Sequence, residues 1–223
     1  MIAAFLLAAA PVPTAVDAEY AFARDAQRMG QWAAFRKYAD HDAVMFNPQA
    51  VWARDFLKDR KEPPQSVRWW PAHSWVSCDG RTAVNTGPWI AGDGKSHGYF
   101  TTVWQRTDQG WRWAYDAGDV LKGPLPKMSK PRVHRAACRG KPPGAPVIAP
   151  PPLTPKQART TPEDNGRGEA ADKTLGWDWK VEKNGELRFR VFMWNGQRYA
   201  QVLYNDAKPV SYTHLTLPTT PYV

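Results

Sequence analysis

Few side chains in this sequence have the types that carry out chemistry, and His73 and Asp116 come first among them. His73 alternates with Trp69, Pro71 and Trp75, so it shares their face of an extended run. If that face lines an interior, the imidazole could serve as a base or a ligand contact. The alternative is a partly exposed histidine beside Pro71 on an edge strand. Asp116 and Asp119 are the carboxylates best placed to meet a histidine across a sheet, and a His–Asp pair is the minimal equipment for acid–base work. Turn and strand-end capping would explain both aspartates as well. Asp40-His41-Asp42 has metal-ligating types, but adjacent side chains diverge, and solvation of a helix end accounts for them. Cys78 and Cys138 are the only cysteines. They lack Cys-x-x-Cys spacing, so no structural zinc or other metal site is expected. In an oxidising compartment they could form one disulfide; otherwise they are two separate thiols. No phosphate-binding glycine loop, Gly-x-Ser-x-Gly elbow or His-Glu-x-x-His occurs, and no cofactor is expected.

The elements that must position these residues change period along the chain. Glu19 to Ala39 reads as two short helices broken near Gly30, with Tyr20, Ala23, Ala26 and Gln27 on one face and Trp32, Phe35 and Tyr38 on the next. Ala43 to Phe46 is a short strand stopped by Asn47-Pro48, and Val51 to Lys61 a third helix ended by Glu62-Pro63-Pro64. From Ser66 the period becomes two: Val67–Ser77, Thr82–Ala91, Ser96–Arg106 and Trp111–Asp116 read as four strands. Asp79-Gly80, Gly92-Asp93-Gly94 and Asp108-Gln109-Gly110 supply the turns. Hairpins in succession make an antiparallel sheet, and three preceding helices cover one face, which defines an α+β layer.

After Val120 the character shifts. The net charge of the 223-residue chain is +9, and residues 122–170 hold ten Lys and Arg against three Asp and Glu. Residues 122–171 therefore read as a basic, Pro-rich linker suited to an anionic envelope surface rather than to nucleic acid. As polyproline II, at about 3.1 Å per residue, Pro142 to Pro155 could hold two bodies roughly 40 Å apart. Residues 172–209 resume strand patterning in three runs joined by Asn184-Gly185 and Asn195-Gly196, a small meander that is marginal alone and is expected to dock on the preceding domain, on another chain or on a ligand surface. Its Trp177, Trp179, Trp194 and Tyr199 form either a stacking platform or the meander's own core. Residues 1–18 carry an apolar stretch and small residues before Glu19, the pattern of a secretory signal, which implies a periplasmic or secreted protein. Residues 210–223 resemble a translated sequencing adapter and are set aside as a technical artefact.

The order helix, helix, Gly30, Ala34-Phe35, Tyr38-Ala39-Asp40, Asp42-Ala43, Pro48, helix, four strands resembles the nuclear transport factor 2-like superfamily, as do the strand pair Tyr99–Trp104 and Trp111-Arg112-Trp113. The resemblance covers residues 19–121. It implies a cone: a curved antiparallel sheet closed by the three N-terminal helices, with Phe100, Thr102 and Trp104 facing the pocket and Tyr99, Thr101 and Val103 facing away. Ketosteroid isomerase, one member, needs a carboxylate base and two hydrogen-bond donors. Without gaps, its base falls on Asn47, its tyrosine on Ala23 and its protonated aspartate near Thr102. An amide cannot take a proton at neutral pH, so that activity is not expected.

The resulting expectation is an exported binding domain, with Asn47, Phe100, Thr102 and Trp104 around a pocket for a small hydrophobic or aromatic molecule, or with an open sheet face for a homodimer. An enzyme using His73 and Asp116, of lyase or hydrolase type, and an envelope-associated interaction protein are the alternatives.

Overall fold

The computed structural model describes residues 12–207 apart from 48, 126, 128 and 148–163. Residues 210–223, read above as a sequencing adapter, and residues 1–11 of the expected leader therefore lie outside the described residues. Helix α1 (Ala15–Met29) starts at a capping box in which Thr14 and Asp17 exchange hydrogen bonds. Gly30 ends it at φ +104, a conformation that favours glycine. Helix α2 (Gln31–Tyr38) follows at once, and its free N–H groups find a partner from far along the chain. The Glu62 carboxylate accepts from Trp32 and Ala33, each at 2.8 Å. The chain continues through β1 (Ala39–Asn47), β2 (Gln49–Trp52) and α3 (Ala53–Leu57). The third helix is thus shorter than the expected Val51–Lys61. Val51 and Trp52 pair instead with Met45 and Val44 of β1, where a β-branched and an aromatic side chain fit a pleated surface.

Strands β3 (Arg68–Trp69), β4 (His73–Val76), β5 (Thr82–Ile90), β6 (His97–Thr107), β7 (Gly110–Val120) and β8 (Arg132–Arg135) complete the first sheet. Its order is β2-β1-β7-β6-β5-β4-β8, with β3 beside β5. The sheet is mixed rather than antiparallel, because β1 joins β7 and β8 joins β4 in parallel. Strand β8 comes from the stretch expected to be linker. It borrows its place from the β4 edge rather than from an apolar pattern of its own.

A second, antiparallel sheet has four strands, not three: β9 (Asn165–Glu169), β10 (Leu175–Val181), β11 (Leu187–Trp194) and β12 (Tyr199–Ala207), in the order β12-β11-β10-β9. The β9 sequence, Asn-Gly-Arg-Gly-Glu, has no strand signature because its glycines are hollows for rings. Trp177 faces Gly168 and Trp179 faces Gly166, and a Cβ on either glycine would fall within 3 Å of an indole.

Alternation across the first sheet sends its side chains into two cores. On the helical side, Phe22, Phe35, Trp69, Trp104 and Trp113 pack together. On the other, Phe46, Val84, Val103 and Tyr115 meet Trp177, Trp179 and Phe189 of the second sheet. The two sheets therefore pack face to face: of the expected placements the meander takes the one on the first domain, and the sheet face expected to be open is covered. Trp177 and Trp179 are core residues, and Trp194 packs on Tyr199 while donating to the Arg139 carbonyl. Cys78 and Cys138 form a disulfide that ties the end of β4 to the chain leaving β8. The α+β layering with a curved sheet and few helices is compatible with a cone.

Candidate functional site

Directly opposed residues of neighbouring strands point to one face. The register Ser74↔Asn85↔Thr102↔Asp116 thus makes a polar row across β4, β5, β6 and β7. All four residues are buried, and they lie beneath α1. Glu19 of α1 reaches down to this floor. Ala15, Ala18, Phe22 and Ala26 form the apolar stripe of that helix, and Glu19 is the single acid within it. Its carboxylate accepts from Trp104 Nε1 at 2.6 Å, Trp69 Nε1 at 2.9 Å and Asn85 Nδ2 at 3.2 Å. Asn85 Nδ2 also donates to the Ala15 carbonyl at 3.0 Å. Burial pushes the Glu19 carboxyl up to about 7, against the opposing pull of these three donors.

Asp116 is the second interior carboxyl. It accepts from the Thr102 hydroxyl at 2.9 Å, and burial, with the Glu19 charge added, holds it well above the ordinary aspartate range. Its Oδ1, the Asn85 Oδ1 and the Ser74 Oγ are buried without a protein partner. Glu19 is thereby able to change protonation near neutral pH, and the raised Asp116 carboxyl lies on the same side of the sheet.

Phe100, Thr102 and Trp104 point toward the helices, and there each is sealed in the core at 1% exposure or less. They line no open pocket among the described residues. Asn47 closes β1 and takes no part in the Glu19 network. His73 and Asp116 are not brought together. His73 pairs with Thr86 in the neighbouring row and stacks on Trp75, whose ring belongs to the core between the sheets, whereas Asp116 faces Glu19 on the helical side. The period-two alternation that seats Asp116 indoors turns His73 to the opposite face. Burial, His134 and Arg132 lower the His73 pKa. Asp119 accepts from the Val120 backbone N–H at 2.6 Å. Exposed His41 sits between Asp42 and Arg54. No group of three or more His, Cys, Asp or Glu side chains suited to a metal occurs among the described residues.

An open groove of about 280 Å³ runs along the outside of α1. Ala18, Ala21, Tyr38 and Trp111 give it apolar and aromatic walls, and Arg106 and Arg112 bring positive charge. Asp17, also in the groove, is engaged in the capping box. Sequence reasoning missed both Glu19 and this groove. An acid inside an apolar helical stripe was the available signal for the first. The second joins residues about ninety positions apart, which no local pattern marks.

No family model matches the chain, and no curated protein matches it. Among solved structures, it is similar to a protein described as a candidate aromatic ring hydroxylase from Novosphingobium aromaticivorans. The two are 18% identical, with 49% of this chain and 87% of that one covered and a TM-score of 0.34. A likeness at that score carries no argument about chemistry.

Proposed function

We propose that this chain is an exported, non-catalytic binding protein whose groove along α1 takes a small hydrophobic or aromatic molecule carrying an anionic group. The observation that supports this is the contrast between interior and groove. Behind α1 the rings of Phe22, Phe35, Trp104 and Trp113 fill the space, and the Glu19 carboxylate already accepts from three donors of the protein itself. The groove outside is open, aromatic on Tyr38 and Trp111, and positive on Arg106 and Arg112. Apolar walls with a few placed charges are what small-molecule sites share. Native mass spectrometry of protein purified from its own compartment should show a retained small molecule. Tyr38→Ala and Arg106→Ala should each reduce its retention. A ligand-free protein that also fails to bind an anionic aromatic probe such as anilinonaphthalene sulfonate would sink the reading.

A second reading is favoured by one observation, the pair of high-titrating carboxyls with unpartnered polar atoms around them. In it Glu19 and Asp116, not His73, exchange protons with a substrate admitted beneath α1. Turnover abolished by Asp116→Asn but not by His73→Ala would support this reading over the first.

A further inference from the structure

Strand β8 is the last strand of the first sheet, so one of its sides faces no neighbouring strand among the described residues. Arg132 and Ala136 donate their backbone N–H groups to the carbonyls of Ala72 and Val76 on the β4 side. Because backbone groups alternate along a strand, the N–H and C=O of Val133 and Arg135 point the other way, out of the sheet. The edge is open to approach: Lys130, Arg132 and Arg135 are exposed, and Val133 is 56% exposed. It is also held in place. Pairing with β4 fixes one side, and just past the strand the Cys78–Cys138 disulfide and the bond from the Ala137 N–H to the Trp194 carbonyl anchor the chain. The charge around this edge has one sign. Residues 122–147 hold seven Lys and Arg and no Asp or Glu. No salt bridge between described residues involves Lys130, Arg132 or Arg135. The Arg135 guanidinium donates instead to the Ser77 and Cys78 carbonyls, which leave its charge in place.

We propose that the outer edge of β8 is a docking site for an extended acidic segment of a partner protein, which adds to the sheet as a further strand. Strand addition draws affinity from main-chain hydrogen bonds and selectivity from the side chains that flank them. The outward groups of Val133 and Arg135 supply the first. Lys130, Arg132 and Arg135 favour carboxylates, and exposed Val133 gives an apolar foothold. Basic side chains on an edge strand are also a guard against self-association. A second copy of β8 would set arginine against arginine, and like charges opposite one another destabilise a strand pair. The same charge that repels a copy of this chain attracts an acidic strand. An anionic lipid surface meets the charge but offers no ladder to the outward backbone groups, so it is the less complete fit. Four residues make few bonds, and the charges that assist them are exposed, so the association is weak and falls with salt.

Fluorescence anisotropy of a labelled peptide of alternating Glu and Val, titrated with the full chain at low salt, should show saturable binding. The same peptide with Lys in place of Glu should not bind. Val133→Pro removes an outward N–H that β4 does not use, at an edge position where a strand accepts proline. It should leave the melting temperature unchanged and weaken peptide binding about tenfold. Arg132→Glu should weaken binding at least as much, while Arg24→Glu, the same charge change on exposed α1, should have far less effect. Amide hydrogen exchange reads the contact in the unaltered chain, so the test survives even if proline detaches β8: the Val133 and Arg135 amides should slow when peptide is added. Absence of saturable binding, binding that leaves those two amides unprotected, or capture by phosphatidylglycerol vesicles but not by the acidic peptide would each overturn the assignment.

Discussion

Glu19 in the first helix accepts a 2.6 Å hydrogen bond from the indole N–H of Trp104, 85 residues further along the chain, and so pins α1 to the sheet. The bond joins a charge that burial penalises to a ring that needs an acceptor. Stability therefore depends on the protonation of this carboxyl.

A carboxyl whose folded-state pKa exceeds its unfolded value favours the fold most when both states are protonated. For Glu19 that contribution is complete below 4.5, falls as pH rises, and levels off above about 7. The difference amounts to about 3 kcal/mol. Raised Asp116 acts in the same direction. Melting curves of the parent and Glu19→Gln between pH 4.5 and 8 should diverge in favour of the variant as pH rises. A gap independent of pH would refute the assignment. Glu19→Ala, which strands three buried donors, should lose about 3 kcal/mol or more at about pH 4.5, and the loss should shrink as pH rises.

The first sheet should not fold well without the second. A chain ending at Leu121 loses β8 and the disulfide, and it uncovers Phe46, Trp75, Val84, Val103 and Tyr115. Gel filtration should show it aggregated, while residues 12–207 stay monomeric and ordered. A well-ordered monomer of the shorter chain would remove the second sheet from the stability argument.

Gly168→Ala puts a methyl group against the Trp177 ring, with the nearest ring carbon 2.1 Å from an ideal Cβ. The ring is locked in the core between the sheets, so it cannot swing clear. Overpacking of this kind costs about 1–3 kcal/mol. Denaturant unfolding checks the value, and a neutral outcome would mean that β9 is loosely held.

Export, if it occurs, should cut the chain before Thr14 and not at Glu19. Residues 15–18 form the first turn of α1, Ala15 and Ala18 are buried, and the Ala15 carbonyl receives Asn85. N-terminal sequencing of protein from the envelope fraction decides this. A mature terminus at Glu19 would mean that α1 starts later in the exported form.

Local patterns settled the elements whose signals are local. The break at Gly30, the period-two runs from Ser66 onward and the Asn-Gly turns at 184 and 195 each depend on a few neighbouring residues, so the α+β layering was legible. Alternation also assigned Phe100, Thr102 and Trp104 to one face, because strand geometry requires it. Tertiary structure decided the rest. Strands β8 and β9 carry no apolar period of their own: one is held by a parallel neighbour and the other by glycines that make room for tryptophans. Which face met which core was also a matter of packing, and it separated His73 from Asp116 while drawing His73 to His134. Glu19 looked like an ordinary residue near a processing site. Only the fold, by placing two indoles and an amide around it, turned it into a buried acid.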